Sequence, residues 1–164
     1  MSLYVPPTYL YSINDVPGVA LANNFLSLFN PSGSGKVLSG LQLIVSTYSG
    51  SLTASPNSLL AKRITSATVG TLIAASTIAR FRTASPDPVA QVRIANPTVG
   101  GVGLAHSASA PVISTGAGQS SSAIQPPPGA SFLYAPGEGA VITTASGDLD
   151  QVWNISILWS EAKA

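Results

Sequence analysis

Cysteine is absent from the chain. Neither a disulfide framework nor a thiolate metal site is open to it, so the fold must stand on packing alone. Charge is nearly as scarce: Asp, Glu, Lys and Arg make up 8% of residues, where a typical globular domain carries about 25%. With a formal net charge of +1, the chain has no general attraction for nucleic acid or for an acidic membrane. A surface of Ser, Thr, Asn, Gly and apolar atoms repels its own copies only weakly, which suits a protein packed in an assembly. Ser/Thr-rich β proteins that work alone also manage with few charges. Long apolar runs are missing too. The stretch "VGTLIAASTIA", residues 69–79, ends at Arg80 and falls short of the ~20 apolar residues of a spanning helix. The opening "MSLYVPPTYL" has no basic residue ahead of an apolar core and carries paired prolines, so the chain reads as soluble and unmarked for secretion.

What is present is punctuation. Gly and Pro fall between short apolar runs, the pattern of turns separating strands. The clearest strand is "QVWNISILWSE", where Trp153, Ile155, Ile157 and Trp159 share one face and Asn154, Ser156 and Ser160 the other, a period of two that a helix does not produce. "VLSGLQLIVSTYS" places Leu41, Leu43 and Val45 together, and "VALANNFLSLF" before it is apolar with looser alternation. Further strands are predicted at "LLAKRITSA", "VAQVRIANP", "SFLYA" and "AVITTAS". Residues 69–81 fit a short helix on spacing and a strand on their Thr and Ile content, and the neighbouring strands favour the latter. Residues 106–128, mostly Ser, Ala, Gly and Pro, read as a long loop.

Strands with turn signals every ~8–12 residues and no clear helix argue for an all-β, antiparallel β-sandwich or jelly-roll-like single domain. At 164 residues such a domain buries roughly 70% of the surface of its unfolded chain. Residues 1–17 differ from the rest, interleaving Tyr4, Tyr9 and Tyr11 with Pro6, Pro7 and Pro17. They read as an extended N-terminal arm presenting tyrosines to a partner, or tied down on its own sandwich, with the sandwich domain spanning residues 18–164.

The stretch "FNPSGSGKVL", residues 29–38, superficially matches a phosphate-binding loop. That loop needs a glycine where Asn30 stands and a Ser or Thr where Val37 stands, so nucleotide chemistry is excluded. Pro31 presets a turn and Gly33 and Gly35 can take positive φ, which makes the stretch a hairpin loop with Lys36 opening the next strand. The single histidine, His106, lies in "GLAHSASA" without a nucleophile elbow, which deprives a serine hydrolase of its base. Asp148 and Asp150 in "GDLD" read as turn residues, without the spacing of a calcium loop. Glu138 in "PGEG" would need a cleft to form a glycosidase-type pair with either. No catalytic, metal or cofactor site follows. The mid-chain cations Lys62, Arg63, Arg80, Arg82 and Arg93 and the late anions Glu138, Asp148, Asp150 and Glu161 can meet within or between subunits. Arg80 and Arg82 flank Phe81 on one strand face in this reading, a solvated edge or a contact to an acidic neighbour rather than a nucleic-acid site.

The succession "FLSLFNPSGSGKVL", "ASPDPVAQVRIANP", "LYAPGEGAVITTAS" and "VWNISILWSE", spanning roughly residues 20–161, resembles small β-sandwich virion proteins of tailed bacteriophages, of the capsid decoration or cement type. The resemblance implies a structural protein without catalytic residues or cofactors. Such a protein is made in the host cytoplasm and sits on the capsid exterior as a dimer or trimer, holding neighbouring major capsid proteins together. Candidate partner contacts are Tyr4, Tyr9, Tyr11, Arg80 and Arg82. A receptor- or carbohydrate-binding module of a phage tail or baseplate and a small β-sandwich hydrolase are the two other readings of the same sandwich.

Overall fold

The structure is a computed structural model that describes residues 6–19, 24–49, 59–103, 105–108, 120–124, 132–144 and 148–164. Its strands in chain order are β1 (Thr8–Val19), β2 (Asn24–Phe29), β3 (Lys36–Ser49), β4 (Leu59–Ile64), β5 (Ser66–Thr68), β6 (Thr71–Leu72), β7 (Ala79–Arg80), β8 (Gln91–Ile94), β9 (Thr98–Gly100), β10 (Ala105–Ala108), β11 (Ser120–Ile124), β12 (Phe132–Tyr134), β13 (Gly139–Thr144) and β14 (Asp148–Lys163). One 3-10 turn, Ala75–Thr77, is the helical element among the described residues. No helix there is long and apolar enough to cross a membrane.

Two six-stranded antiparallel sheets face each other. The first runs β11-β3-β14-β1-β7 with β12 also on β3, and the second β10-β4-β13-β2-β8-β6. The pairings nest: β4 takes β10, β3 takes β11 and β12, β2 takes β13, and β1 takes β14. A long hairpin paired in this way and rolled so that β14 also meets β3 and β13 also meets β4 is a jelly roll. The jelly-roll-like expectation therefore holds at the level of strand order.

The core lies between the sheets. One wall supplies Tyr9, Leu38, Leu43, Val45, Tyr134, Trp153, Ile155, Ile157 and Trp159, the other Phe25, Leu26, Leu28, Leu59, Ala61, Val92, Ala140 and Ile142. The alternation expected of β14 is borne out: Trp153, Ile155, Ile157 and Trp159 are all buried. Elsewhere bulges shift the period of two. In β3, Gly40 and Gln42 face Trp159 and Leu158 with Leu41 extra, so burial passes from Leu38 and Gly40 to Leu43 and Val45. In β2 the irregularity at Phe25 puts both Phe25 and Leu26 into the core, which accounts for the loose alternation of that run. In β1 the extra residue falls at Asn14–Asp15, where Asp15 adopts φ +54°.

The connection from β4 to β10, residues 65–103, is an insertion that broadens the roll. It adds β8 and β6 beside β2, and β7 beside β1. Between β5/β6 and β8/β9 runs one antiparallel ribbon, Ser66↔Gly100 through Leu72↔Arg93, interrupted where Val69, Gly70, Ala95 and Asn96 all take positive φ. The interruption lets β5 and β9 form a separate two-stranded sheet. There Ala67 and Val99 pack with Ile64, Val141 and Phe29 in a second small core. This second core explains why β13 is buried along its whole length: Ala140 and Ile142 serve the main core, Val141 the smaller one.

Several expectations need correction. Residues 8–17 of the expected arm belong to β1, which is hydrogen-bonded along β14 from Thr8↔Ser160 to Pro17↔Val152; the boundary at residue 17 falls inside a strand, because Tyr9, Tyr11, Ile13 and Val16 carry enough apolar surface to join the core. "FNPSGSGKVL" is no hairpin loop, since β2 and β3 lie in different sheets and the turn carries the chain across the sandwich. Of its two glycines, Gly35 takes positive φ and Gly33 does not. Residues 106–128 are not one loop, for they include most of β10 and all of β11, strands of small residues held by main-chain pairing to β4 and β3. Residues 69–81 combine two short strands with the 3-10 turn.

Candidate functional site

Among the described residues the mid-chain cations and late anions meet once, within the chain. Arg63 Nη1 lies 2.7 Å from Glu138 Oε2. The same guanidinium donates to the Leu133 carbonyl at 2.9 Å and sits 5.2 Å over the ring of Tyr134. Glu138 is further held by the Ala135 N–H at 3.0 Å. Burial pushes the Tyr134 hydroxyl up to about 12, with Arg63 drawing it down and Glu138 adding to the rise. Glu138 is thus held as a clasp between β4 and the β12–β13 turn.

Asn30, at the position where a phosphate loop needs glycine, is fully buried. Its amide donates to the carbonyls of Lys36 at 2.8 Å and Tyr134 at 3.0 Å, while its main chain bonds Glu138 and Gly137. The stretch is therefore a structural staple. Ser32, Gly33 and Gly35 are exposed, as the turn reading requires.

Of the candidate contacts, Tyr4 lies outside the described residues. Tyr9 is wholly buried, its ring 5.6 Å from that of Trp159 and its hydroxyl donating to the Pro86 carbonyl at 3.1 Å; it is a core residue and not a partner contact. Tyr11 is half-buried, and burial raises its hydroxyl above the ordinary value. Arg80, in β7, pairs with Asp87 at 2.9 Å and donates to the Ser85 carbonyl at 2.8 Å. Arg82 lies beyond the end of β7 in a turn closed by Ser85 N–H to Arg82 O, so Arg80 and Arg82 do not share a strand face. Arg82 is exposed and forms no ion pair among the described residues. The main chain of His106 is in β10 and that of Asp148 and Asp150 opens β14, a correction to the loop and turn expected there; their side chains lie outside the described ones. Among the described residues no group of His, Asp and Glu is placed to hold a metal ion.

Two features were not anticipated. Glu161 is a buried carboxylate, 2% exposed, that accepts the main-chain N–H groups of Val89 and Ala90 and the Trp159 indole. The pattern hinted at it only as a polar break after Trp159. The second is a groove of about 520 Å³ between β1 and the end of the β2/β8 pair, walled by Ile13, Phe25 and Ile94 and rimmed by Tyr11, Asp15 and Asn96. No protein-family model, curated protein or solved structure matches this chain.

Proposed function

We propose that this chain is a structural virion protein that binds the outside of a phage capsid and stabilises the lattice of the major capsid protein. The observation that carries the reading is where the exposed apolar surface lies. Of the large apolar side chains exposed among the described residues, Val69, Leu72, Phe81, Val89 and Val102 belong to the 65–103 insertion; Ile44 and Leu133 do not. Phe81, 64% exposed, is bracketed by Arg80 and Arg82 on a segment tied back to the roll by the Phe81 N–H to Thr8 O bond. Five exposed apolar side chains on one segment, with Arg82 unpaired beside Phe81, suit a contact surface if they gather into one patch, and the low overall charge weakens repulsion between neighbouring copies. The jelly roll itself adds only analogy, since capsid and lectin domains both use it. An accessory shell protein acts by mass action, stabilising the lattice it binds.

Shells assembled without this chain and then mixed with the purified protein test the reading. The protein should restore resistance to heat and osmotic shock, and Phe81→Ser with Arg82→Ala should abolish that restoration without lowering the melting temperature of the free protein. A protein that leaves the shells as fragile as before, while binding a bacterial cell surface, belongs to the tail-module class instead.

A further inference from the structure

We propose that the groove between β1 and the end of the β2/β8 pair binds a neutral sugar, a hexose unit of a glycan. The site arises from an incomplete edge. β7 pairs with β1 only at Tyr9 and Leu10, so from Tyr11 to Pro17 the side of β1 away from β14 has no strand partner among the described residues. Beside it lies the opening of about 520 Å³, within the roughly 300–1,000 Å³ of small-molecule sites.

Its polar rim is held in place from behind. The bulge of β1 is fixed by the Asp15 N–H donating to Asn154 Oδ1 at 2.9 Å. Asn96 Oδ1 accepts the Asn24 N–H at 3.4 Å, which orients the carboxamide and leaves its NH₂ as the unused end. Asp15, Ala95 and Asn96, all in the lining, have φ of +54°, +59° and +57°. With Val69 they are the non-glycine residues of positive φ among the described residues. Backbone held in this region persists only where its surroundings over-determine it, and such residues gather at ligand sites. Bulges are likewise used to re-aim side chains beside sites.

The chemistry of the lining selects the ligand. Asp15 is its sole charged side chain, and with no basic group present an anion such as phosphate gains nothing. A single carboxylate among neutral amides and hydroxyls falls short of the several carboxylates that a calcium site gathers. What remains is an acceptor (Asp15), amide groups (Asn14, Asn96) and a phenol (Tyr11) around an apolar wall. That is the complement of a pyranose, which offers hydroxyls at its rim and C–H groups on its face.

The inference does not depend on the capsid reading, and its test uses no shells. The full chain, labelled with ¹⁵N, is titrated with D-glucose, D-galactose and N-acetyl-D-glucosamine, with inorganic phosphate as a control. At least one sugar should give saturable millimolar shifts confined to amides of residues 11–16 and 94–96. Asn96→Gly tolerates the positive φ and removes the amide; it should weaken binding at least ~10-fold, the factor for about one lost hydrogen bond. Asp15→Asn should do the same with the spectrum otherwise unchanged. Absence of saturable shifts with all three sugars, shifts unaffected by both substitutions, or tighter binding of phosphate overturns the assignment.

Discussion

The Glu161 carboxylate accepts the main-chain N–H of Ala90 at 3.0 Å, joining residues 71 positions apart. The same group takes the Val89 N–H at 3.1 Å and the Trp159 indole at 3.3 Å, so one buried side chain anchors the insertion to the last strand. Each charge-assisted bond is worth about 1.5–3 kcal/mol, and donors left buried carry their own cost. Glu161→Ala should therefore lower unfolding free energy by about 3 kcal/mol or more in urea titration. Hydrogen exchange should rise first at Val89 and Ala90.

Asn30 offers a second test, because its NH₂ faces two carbonyl oxygens. Asn30→Asp sets an acceptor against acceptors and should destabilise by about 2–3 kcal/mol. Lys36→Ala should change stability by less than about 0.5 kcal/mol, as surface changes do. Calorimetry with magnesium and ATP should show no saturable heat for the unaltered protein.

Trp153 and Asn154 are neighbours on opposite faces of β14. Trp153→Ala empties a fully buried site and should cost about 3–5 kcal/mol. The neighbouring Asn154→Ala removes the acceptor of the Asp15 N–H at an exposed position and should cost about 1 kcal/mol. A near-neutral result there would show that the β1 bulge holds without it.

Alkaline pH provides a further handle. Tyr134 is pushed up to about 12 from an unfolded value of 10.0, so its proton is held more tightly in the folded state. The stability this confers is complete below pH ~10 and is lost as pH rises toward ~12, at up to about 1.4 kcal/mol per pH unit. Unfolding titrations across that window should show this slope for the unaltered protein and a shallower one for Tyr134→Phe.

What could be read without coordinates was whatever a strand's own neighbours decide. The buried face of β14 was legible because Trp153, Ile155, Ile157 and Trp159 recur every second residue without a bulge among them. The face of β3 was only half legible, since the extra residue at Leu41 leaves no composition signal. The connection from β2 to β3 reads as a hairpin because Pro31 and Gly35 build the same reversal whether the next strand pairs with the last or crosses to the other sheet. β1 reads as an arm because Pro6, Pro7 and Pro17 suggest extension, which a strand shares. β10 and β11 carry almost no large side chains, and their pairing rests on main-chain bonds that any residue supplies. The groove was invisible for a different reason: Tyr11, Asp15 and Asn96 are distant in sequence or unremarkable in type, and only the nested pairing brings them together.

The nested pairing also sets an order of events during synthesis. β14 is the last described strand made, yet it lies inside its sheet, between β3 and β1. Until residues 148–163 leave the ribosome, β1 and β3 stand with unpaired edges and the pocket for both tryptophans is empty. Closure of β1 on β14 joins positions up to about 150 residues apart, the kind of contact that makes folding slow and leaves intermediates prone to association. Stalling before residue 148 should yield a chain held by chaperones, and release of β14 should convert it to the native form in one late step.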